Sequence, residues 1–326
     1  MTSRRRWLAA SAALAVAPLA RGQAAKPLPR VGVLAPSTRA REAVTLAPFF
    51  DGMRALGWVE GTTVVYDYAY GDDRHEAMDR VAAELVARKP DVIYAPPFPA
   101  AVSARRATTT IPIVFATATD PVGAGLVATL ARPGGNVTGI TSIIDSLAPK
   151  LFELAREILP ASRRVGLLGD ATDPRSKIDH DSLVPRVARA GMELVSAAAS
   201  SPAELDAAVA RLLAPRPVDI VITNSTLTFN LRSRLLELTN ARRVPVAGHR
   251  AEIADAGALF CYGAPLAYQI ARSAALVDKV LRGQAPATIP VEQPTRFEIV
   301  VNEKAARLLG IKVPPAVLAR ADRIIA

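Results

Sequence analysis

Short apolar runs bounded by turn residues alternate with stretches of helical periodicity along most of this chain, and the runs recur in the same order in both halves. Val31-Gly32-Val33-Leu34 is echoed by Val165-Gly166-Leu167-Leu168, Asp91-Val92-Ile93-Tyr94 by Asp219-Ile220-Val221-Ile222, and Ile111-Pro112-Ile113-Val114 by Val244-Pro245-Val246-Ala247. An apolar run of this length with no polar alternation is the pattern of a strand covered on both faces, as in a parallel sheet. Between the runs, 46–56 sets Leu46, Phe49, Phe50, Met53 and Leu56 on one stripe, and 78–86 does the same with Met78, Val81, Ala82, Leu85 and Val86. The segments 181–190, 202–213 and 230–241 play that part in the second half, and Ser201 before Pro202, with Glu204, predicts a capped helix start. Each half therefore reads as a βαβαβ stack. The predicted fold class is α/β, two doubly wound Rossmann-like lobes, because parallel strands joined by helices cross over right-handedly.

From 258 onward the pattern changes into a third block, with a strand at 258–262, a helix at 266–281, a strand at 297–302 and a final helix at 315–325. A tail that completes both lobes makes the chain cross between them more than once, through a multi-strand hinge expected near 139–145, 248–257 and 284–294. Pro286, Pro290 and Pro294 keep the last of these extended. The expected division is lobe 1 from 29–141 plus 250–286, and lobe 2 from 142–249 plus 287–326.

Residues 1–24 stand outside this scheme. Arg4, Arg5 and Arg6 precede an apolar run at 7–20 and then Gly22-Gln23-Ala24, the layout of a cleaved signal peptide. Ser3-Arg4-Arg5-Arg6-Trp7-Leu8 resembles a twin-arginine signal, and the general secretory route fits as well. The periplasm is the expected location. Of the 40 basic residues set against 30 acidic ones, four arginines fall in this segment; the rest form no basic run interleaved with aromatics, which argues against nucleic acid as a partner. Cys261 is the only cysteine, so an internal disulfide and a thiolate metal cluster are excluded. A monomer without cofactor is expected.

In open parallel sheets, ligands gather outside the C-terminal strand ends, where loops and helix starts converge. In the first lobe those positions are Ser37, Phe98, Thr117 and Asp120; in the second they are Asn224, Ser225 and His249, with Tyr262 ending the strand of the tail. Ser37 and Ser225 suit a ligand carboxylate, or serve only as helix caps. Asp120, followed by Pro121, suits a ligand amine or caps a helix, and Phe98 and Tyr262 either clamp an aromatic ligand or are buried structural rings. Catalysis finds no candidate residues: the three histidines show no metal-ligand spacing and none neighbours the cysteine, and Gly123-Ala124-Gly125 lacks the third glycine of a dinucleotide site.

Longer motifs add to this reading. Phe50-Asp51-Gly52-Met53-Arg54-Ala55-Leu56-Gly57-Trp58, Asp120-Pro121-Val122, Leu130-Ala131-Arg132-Pro133-Gly134-Gly135-Asn136-Val137-Thr138-Gly139, Pro294-Thr295-Arg296-Phe297-Glu298 and Leu318-Ala319-Arg320-Ala321-Asp322 occur in order. In these the chain resembles the ABC-transporter substrate-binding proteins with a type I periplasmic-binding fold, whose characterised relatives bind tryptophan and other aromatic amino acids. The resemblance implies lobes that close on a small ligand, delivery to an ABC permease in the inner membrane, and no enzymatic activity. It also gives weight to Asp120, Thr141 and Ser142, which sit beside the matched motifs. Pro96-Pro97-Phe98-Pro99 departs from the small hydroxylated residues of relatives and implies a differently shaped pocket. A periplasmic ligand-sensing component that presents its ligand to a membrane receptor is the alternative role.

Overall fold

Strands that are apolar on both faces need helices on both sides, and the two halves meet that need separately. The computed structural model describes residues 27–72, 74, 77–118, 120–141, 147–214 and 216–326; the expected signal segment 1–24, His75 and Ser142 lie outside the described residues. In the first lobe, β1 (Arg30–Ala35), β2 (Val65–Tyr70), β3 (Val92–Tyr94), β4 (Ile113–Ala118) and β5 (Val137–Thr141) form one parallel sheet in the order β2-β1-β3-β4-β5. Helices α1 (Arg39–Ala55), α2 (Met78–Ala87) and α3 (Phe98–Ala107) connect them.

After α4 (Ala148–Ile158), the second lobe runs through β6 (Arg164–Asp170), α5 (Pro174–Arg189), β7 (Glu193–Ala199), α6 (Pro202–Leu213), β8 (Ile220–Thr223), α7 (Thr226–Asn230), α8 (Arg232–Asn240) and β9 (Val246–Gly248). The chain goes on through α9 (Ala251–Asp255), β10 (Phe260–Gly263), α10 (Leu266–Leu281), β11 (Glu298–Asn302), α11 (Glu303–Leu309), α12 (Pro315–Leu318) and β12 (Arg323–Ile325). The second sheet has the order β12-β11-β10-β9-β8-β6-β7, parallel except where β10 meets β11.

Alternate residues of one strand enter different cores. Val31, Val33 and Tyr94 pack with α1 and α10 on one side of the first sheet, while Leu34, Ile93 and Phe115 pack with α2 and α3 on the other. Val165, Leu167 and Ile222 face α4 and α5 in the second lobe, and Leu168, Val221 and Cys261 face α6, α8 and α9. Each such fully buried aliphatic or aromatic side chain contributes about 1.5–3 kcal/mol relative to exposure.

The crossings between lobes differ in part from expectation. Residues 248–257 do not cross: β9, α9 and β10 all stay with the second lobe, and the chain leaves it between Gly263 and Leu266. Helix α10 then packs along α1 in the first lobe, with Trp58 Nε1 donating to Asp278 Oδ1 at 2.8 Å. The segment after α10 remains on the first lobe as a rim beside β5, since Val291 N donates to Leu130 O at 2.8 Å and Thr141 N to Glu292 O at 2.9 Å. Only then does the chain return to β11. The range 250–286 is thus divided between the lobes, because strand β10 bonds to β9 and β11 while α10 buries its apolar stripe on the first sheet.

The final helix is also shorter than its sequence suggests. Helix α12 spans Pro315–Leu318 and gives way to an edge strand, where Val300, Val301 and Asn302 pair with Arg323, Ile324 and Ile325. Ser201 does occupy the N-cap of α6, but its side chain makes no capping bond; Glu204 instead accepts from Ser200 N at 3.0 Å and Ser200 Oγ at 2.7 Å.

Candidate functional site

Residues just past the C-terminal strand ends of the two lobes act on one another electrostatically across the gap expected between the lobes. Asp120, just past β4, lies within electrostatic reach of Asp173 and Arg175, at the start of α5 just past β6. Asp173 is the N-cap of α5 and accepts from Arg175 N at 2.9 Å, a geometry favoured by Pro174 at the first helical position. Burial pushes the Asp173 carboxyl above its usual range, and the charges of Asp170 and Asp120 push the same way. Burial also pulls the Arg175 guanidinium below its usual value, against the opposing pull of Asp173, Asp179 and Asp120.

Asn224 follows β8 and is buried; its Nδ2 donates to Asp179 at 3.3 and 3.1 Å. That pairing fixes the amide orientation, because a carboxylate only accepts, and it leaves Oδ1 buried without a partner. Ser225 is the N-cap of α7, accepting from Thr228 N at 3.2 Å and meeting Thr228 Oγ1 at 2.9 Å. Its hydroxyl is used by the turn that presents Asn224.

His249 and Arg250 follow β9. The His249 ring donates to the backbone of Thr223, and its Nδ1 is buried without a partner, which makes Nδ1 an acceptor in the neutral tautomer. Burial holds His249 well below 6.5, and the charges of Arg250 and Arg175 add to this. The unfolded chain therefore takes up a proton below about pH 6.5 that the folded chain refuses. Stability is expected to fall as pH drops below about 6.5, by up to roughly 1.4 kcal/mol per pH unit. His249→Asn should flatten that slope; denaturant titrations at pH 7.5 and 5.5 measure it, and equal slopes in both proteins would refute it.

Phe229 carries this corner. The guanidinium carbons of Arg250 and Arg232 each lie 4.8 Å from its ring centroid, and the His249 ring is 6.4 Å away. On the first lobe, Glu42 is buried in the opening turn of α1 and accepts from Ser37 N at 3.3 Å. Ser37 is not the cap, since Thr38 occupies that position. Tyr70 ends β2, stacked on Tyr68 with centroids 6.0 Å apart; burial raises its pKa, with the charge of Glu42 among the contributors.

Other expected site residues have structural partners. Thr117 Oγ1 donates to Pro96 O at 3.2 Å and holds the loop before α3. Phe98, at the first position of that helix, packs on the core formed with α2. Thr141 is fully buried at the crossing beside Glu292. Tyr262 stacks on Phe297 at 5.7 Å against the second lobe's core. Asp120 caps a turn rather than a helix, accepting from Gly123 N at 2.8 Å. A cavity of about 570 Å³ opens on the second lobe beside Asp170, Thr172, Asp173, Ser176, His180 and Arg211; it takes no residue from the first lobe and borders the Asp120–Asp173–Arg175 cluster through Asp173. Among the described residues no group of three or more His, Cys, Asp or Glu side chains is placed to hold a metal ion.

Glu42, Tyr70, Arg175 and Phe229 are not among the site residues expected from the sequence, whereas Arg250 is expected at a strand end beside His249. The available signal was positional: Arg250 directly follows a run that matches a strand of the first half, and Arg175 follows an Asp-Pro helix start.

With this geometry in view, the chain was compared with known proteins. The profile of the ABC transporter substrate binding protein family matches residues 31–325. A crystal structure of a conserved domain protein from Vibrio cholerae shares 29% identity and superposes with a TM-score of 0.82, covering 91% of this chain and 99% of that one. The ABC domain in complex with L-Trp from Streptococcus pneumonia shares 24% identity with a TM-score of 0.83, covering 91% of this chain and 100% of that one. The curated tyrosine-binding protein of Clostridioides difficile is 28% identical over 264 residues, which are 81% of this chain and 76% of that protein.

Proposed function

This chain belongs to the ABC transporter substrate binding protein family, and from that premise we propose that it captures a carboxylate-bearing small solute, an amino acid or an aromatic acid, between its lobes. As a family member it is a binding protein that serves an ABC importer rather than an enzyme, and its partners are a small-molecule ligand and a permease.

The observation that carries the ligand reading is the charge arrangement across the gap. Asp120 on one lobe lies within electrostatic range of Asp173 and Arg175 on the other, so a carboxylate of the first lobe faces a carboxyl and a guanidinium of the second near the strand ends. A zwitterion or acid that touches both walls binds the closed arrangement more tightly than the open one, and only such a difference shifts the equilibrium toward closure. The names of the tyrosine-binding relative and of the tryptophan complex support an aromatic amino acid. The arginine-led apolar segment at the N-terminus supports export to the periplasm followed by cleavage.

The protein lacking residues 1–24, unfolded and refolded to strip any bound solute, is expected to bind at least one member of a panel of amino acids, aromatic acids and purines in isothermal calorimetry. Small-angle scattering of the same sample should show a smaller radius of gyration with the ligand. Absence of binding across the whole panel, or binding without compaction, would defeat the reading.

A further inference from the structure

Arg250 stands out among the charged groups of the second lobe. Its residue keeps an opening to solvent, yet the guanidinium lies deep enough that burial pulls its pKa below the usual arginine value. Among the described residues it makes no hydrogen bond and no ion pair; its close contact is the face of Phe229, 4.8 Å from the ring centroid. The Glu252 carboxylate pulls the Arg250 pKa back up, and a second guanidinium, that of Arg175, is near enough to lower it again. Two cations brought close in a partly dehydrated corner, one of them with the Glu252 carboxylate nearby but no ion pair, make an arrangement that a further anion would relieve. The guanidinium carbon of Arg250 sits over the Phe229 ring, a cation–π contact that restricts where its N–H groups can point before a ligand arrives.

The neighbouring orphan atoms have the opposite character. Asn224 Oδ1 and His249 Nδ1 are both buried acceptors without a donor. Leaving such atoms unpaired costs about 1–3 kcal/mol each in a folded protein, which points to a partner that arrives from outside. They belong to the same corner, because the His249 ring bonds the backbone of Thr223, the residue before Asn224, and lies 6.4 Å from Phe229.

We infer that this corner is the specificity-determining half of the ligand site: Arg250 receives the solute's carboxylate in a fork, and Asn224 Oδ1 and His249 Nδ1 receive an N–H or O–H donor on the same solute. This rests on the solute-capture reading above and narrows it to amino acids and hydroxy acids held chiefly by the second lobe. A polyol offers donors but no anion for Arg250, and inorganic phosphate offers the anion but, as a dianion, a poor match to two acceptors.

The test uses calorimetry on the refolded protein with L-tyrosine, L-tryptophan, 4-hydroxyphenyllactate and benzoate, the primary amides of the first two, myo-inositol and inorganic phosphate. An amino acid or hydroxy acid should bind, and its amide should bind about 100-fold or more weakly. Arg250→Gln should weaken the acid by a similar factor while leaving the amide unchanged, and Arg250→Lys should recover only part of the loss. Tightest binding by myo-inositol or phosphate, or equal losses for acid and amide in Arg250→Gln, overturns the assignment while leaving solute capture intact.

A ligand-free measurement keeps the inference testable should none of these probes bind. Removing a buried cation that makes no ion pair relieves a desolvation cost that Glu252 offsets only in part, so Arg250→Met is expected to raise the melting temperature of the ligand-free protein by about 2–4 °C. A fall of that size instead would make Arg250 a structural residue and would sink the inference, whatever the fate of the wider reading.

Discussion

Tyr94→Ala is expected to lower the stability of this protein by about 3–5 kcal/mol, whereas Tyr94→Phe should lower it by only about 1 kcal/mol. Tyr94 is fully buried at the end of β3, with its ring stacked on Phe49 of α1 at 3.8 Å and 13°. Its hydroxyl lies 2.8 Å from Ser273 Oγ, which also reaches Ile270 O at 2.7 Å. Ser273 Oγ is placed to donate to the Tyr94 hydroxyl as well as to Ile270 O, so its one proton is shared between two acceptors. Burial raises the Tyr94 pKa, which keeps the phenol neutral. One side chain thus joins the first sheet, helix α1 and helix α10, the element that has just arrived from the second lobe. Truncation removes the ring and leaves a cavity between all three; loss of the hydroxyl alone leaves the packing. Thermal unfolding followed by circular dichroism should show the alanine variant lower by about 10 °C and the phenylalanine variant by about 3 °C. Equal shifts would mean that the phenol hydrogen bond, rather than the packed ring, ties α10 to this lobe.

The contrast between what periodicity showed and what it hid has a physical basis. Strands β1, β3, β4, β6, β8 and β9 were legible because each is covered on both faces, which forces an uninterrupted apolar run. Strand β2 was hidden because it is an edge strand with the sequence VYDYAY, whose Asp67 binds Arg30 at the rim and whose Tyr68 and Tyr70 are partly exposed. Strand β7 is the opposite sheet's edge and reads ELVSAAA, too polar and too small for the same signal. The Ala- and Leu-rich stretch 315–325 favours a longer helix locally, and pairing with β11 outweighs that preference over the last residues.

The site divides in the same way. Loop positions could be read off because strand ends locate them, and Asp120, Asn224, Ser225 and His249 do stand at such ends. Their roles were less accessible. Ser225 is spent on a turn, and Thr117, Thr141 and Tyr262 on holding the frame, since a short polar side chain at a strand end serves the backbone as readily as a ligand. Arg175 looks in sequence like the other scattered arginines, and the strand end locates Arg250 without showing its state; only the tertiary fold dehydrates both and leaves Arg250 without an ion pair. Burial of a charge is a property of the assembled lobes, and no local pattern encodes it.

Gly263→Ala should disable the corner that holds His249 and Arg250 without touching either side chain. Gly263 ends β10, paired with Glu298 of β11, and a Cβ placed there would stand 1.8 Å from the carbonyl oxygen of His249 and 2.9 Å from its carbonyl carbon. Both are backbone atoms of the adjacent loop, so no rotamer change relieves the overlap; the loop itself must retreat by about 1.5 Å to reach ordinary contact. Such a retreat draws His249 away from the Thr223 backbone and swings Arg250 off the Phe229 face, the two contacts that aim them. Because a binding constellation tolerates only about 0.5 Å of misplacement, solute affinity is expected to fall by about tenfold or more, with roughly 1–3 kcal/mol lost from stability. Calorimetry with the tightest-binding solute, alongside a denaturant titration, separates the two effects. A variant of undiminished affinity would show that the His249–Arg250 loop adapts freely, and that the close approach of β10 serves sheet packing alone.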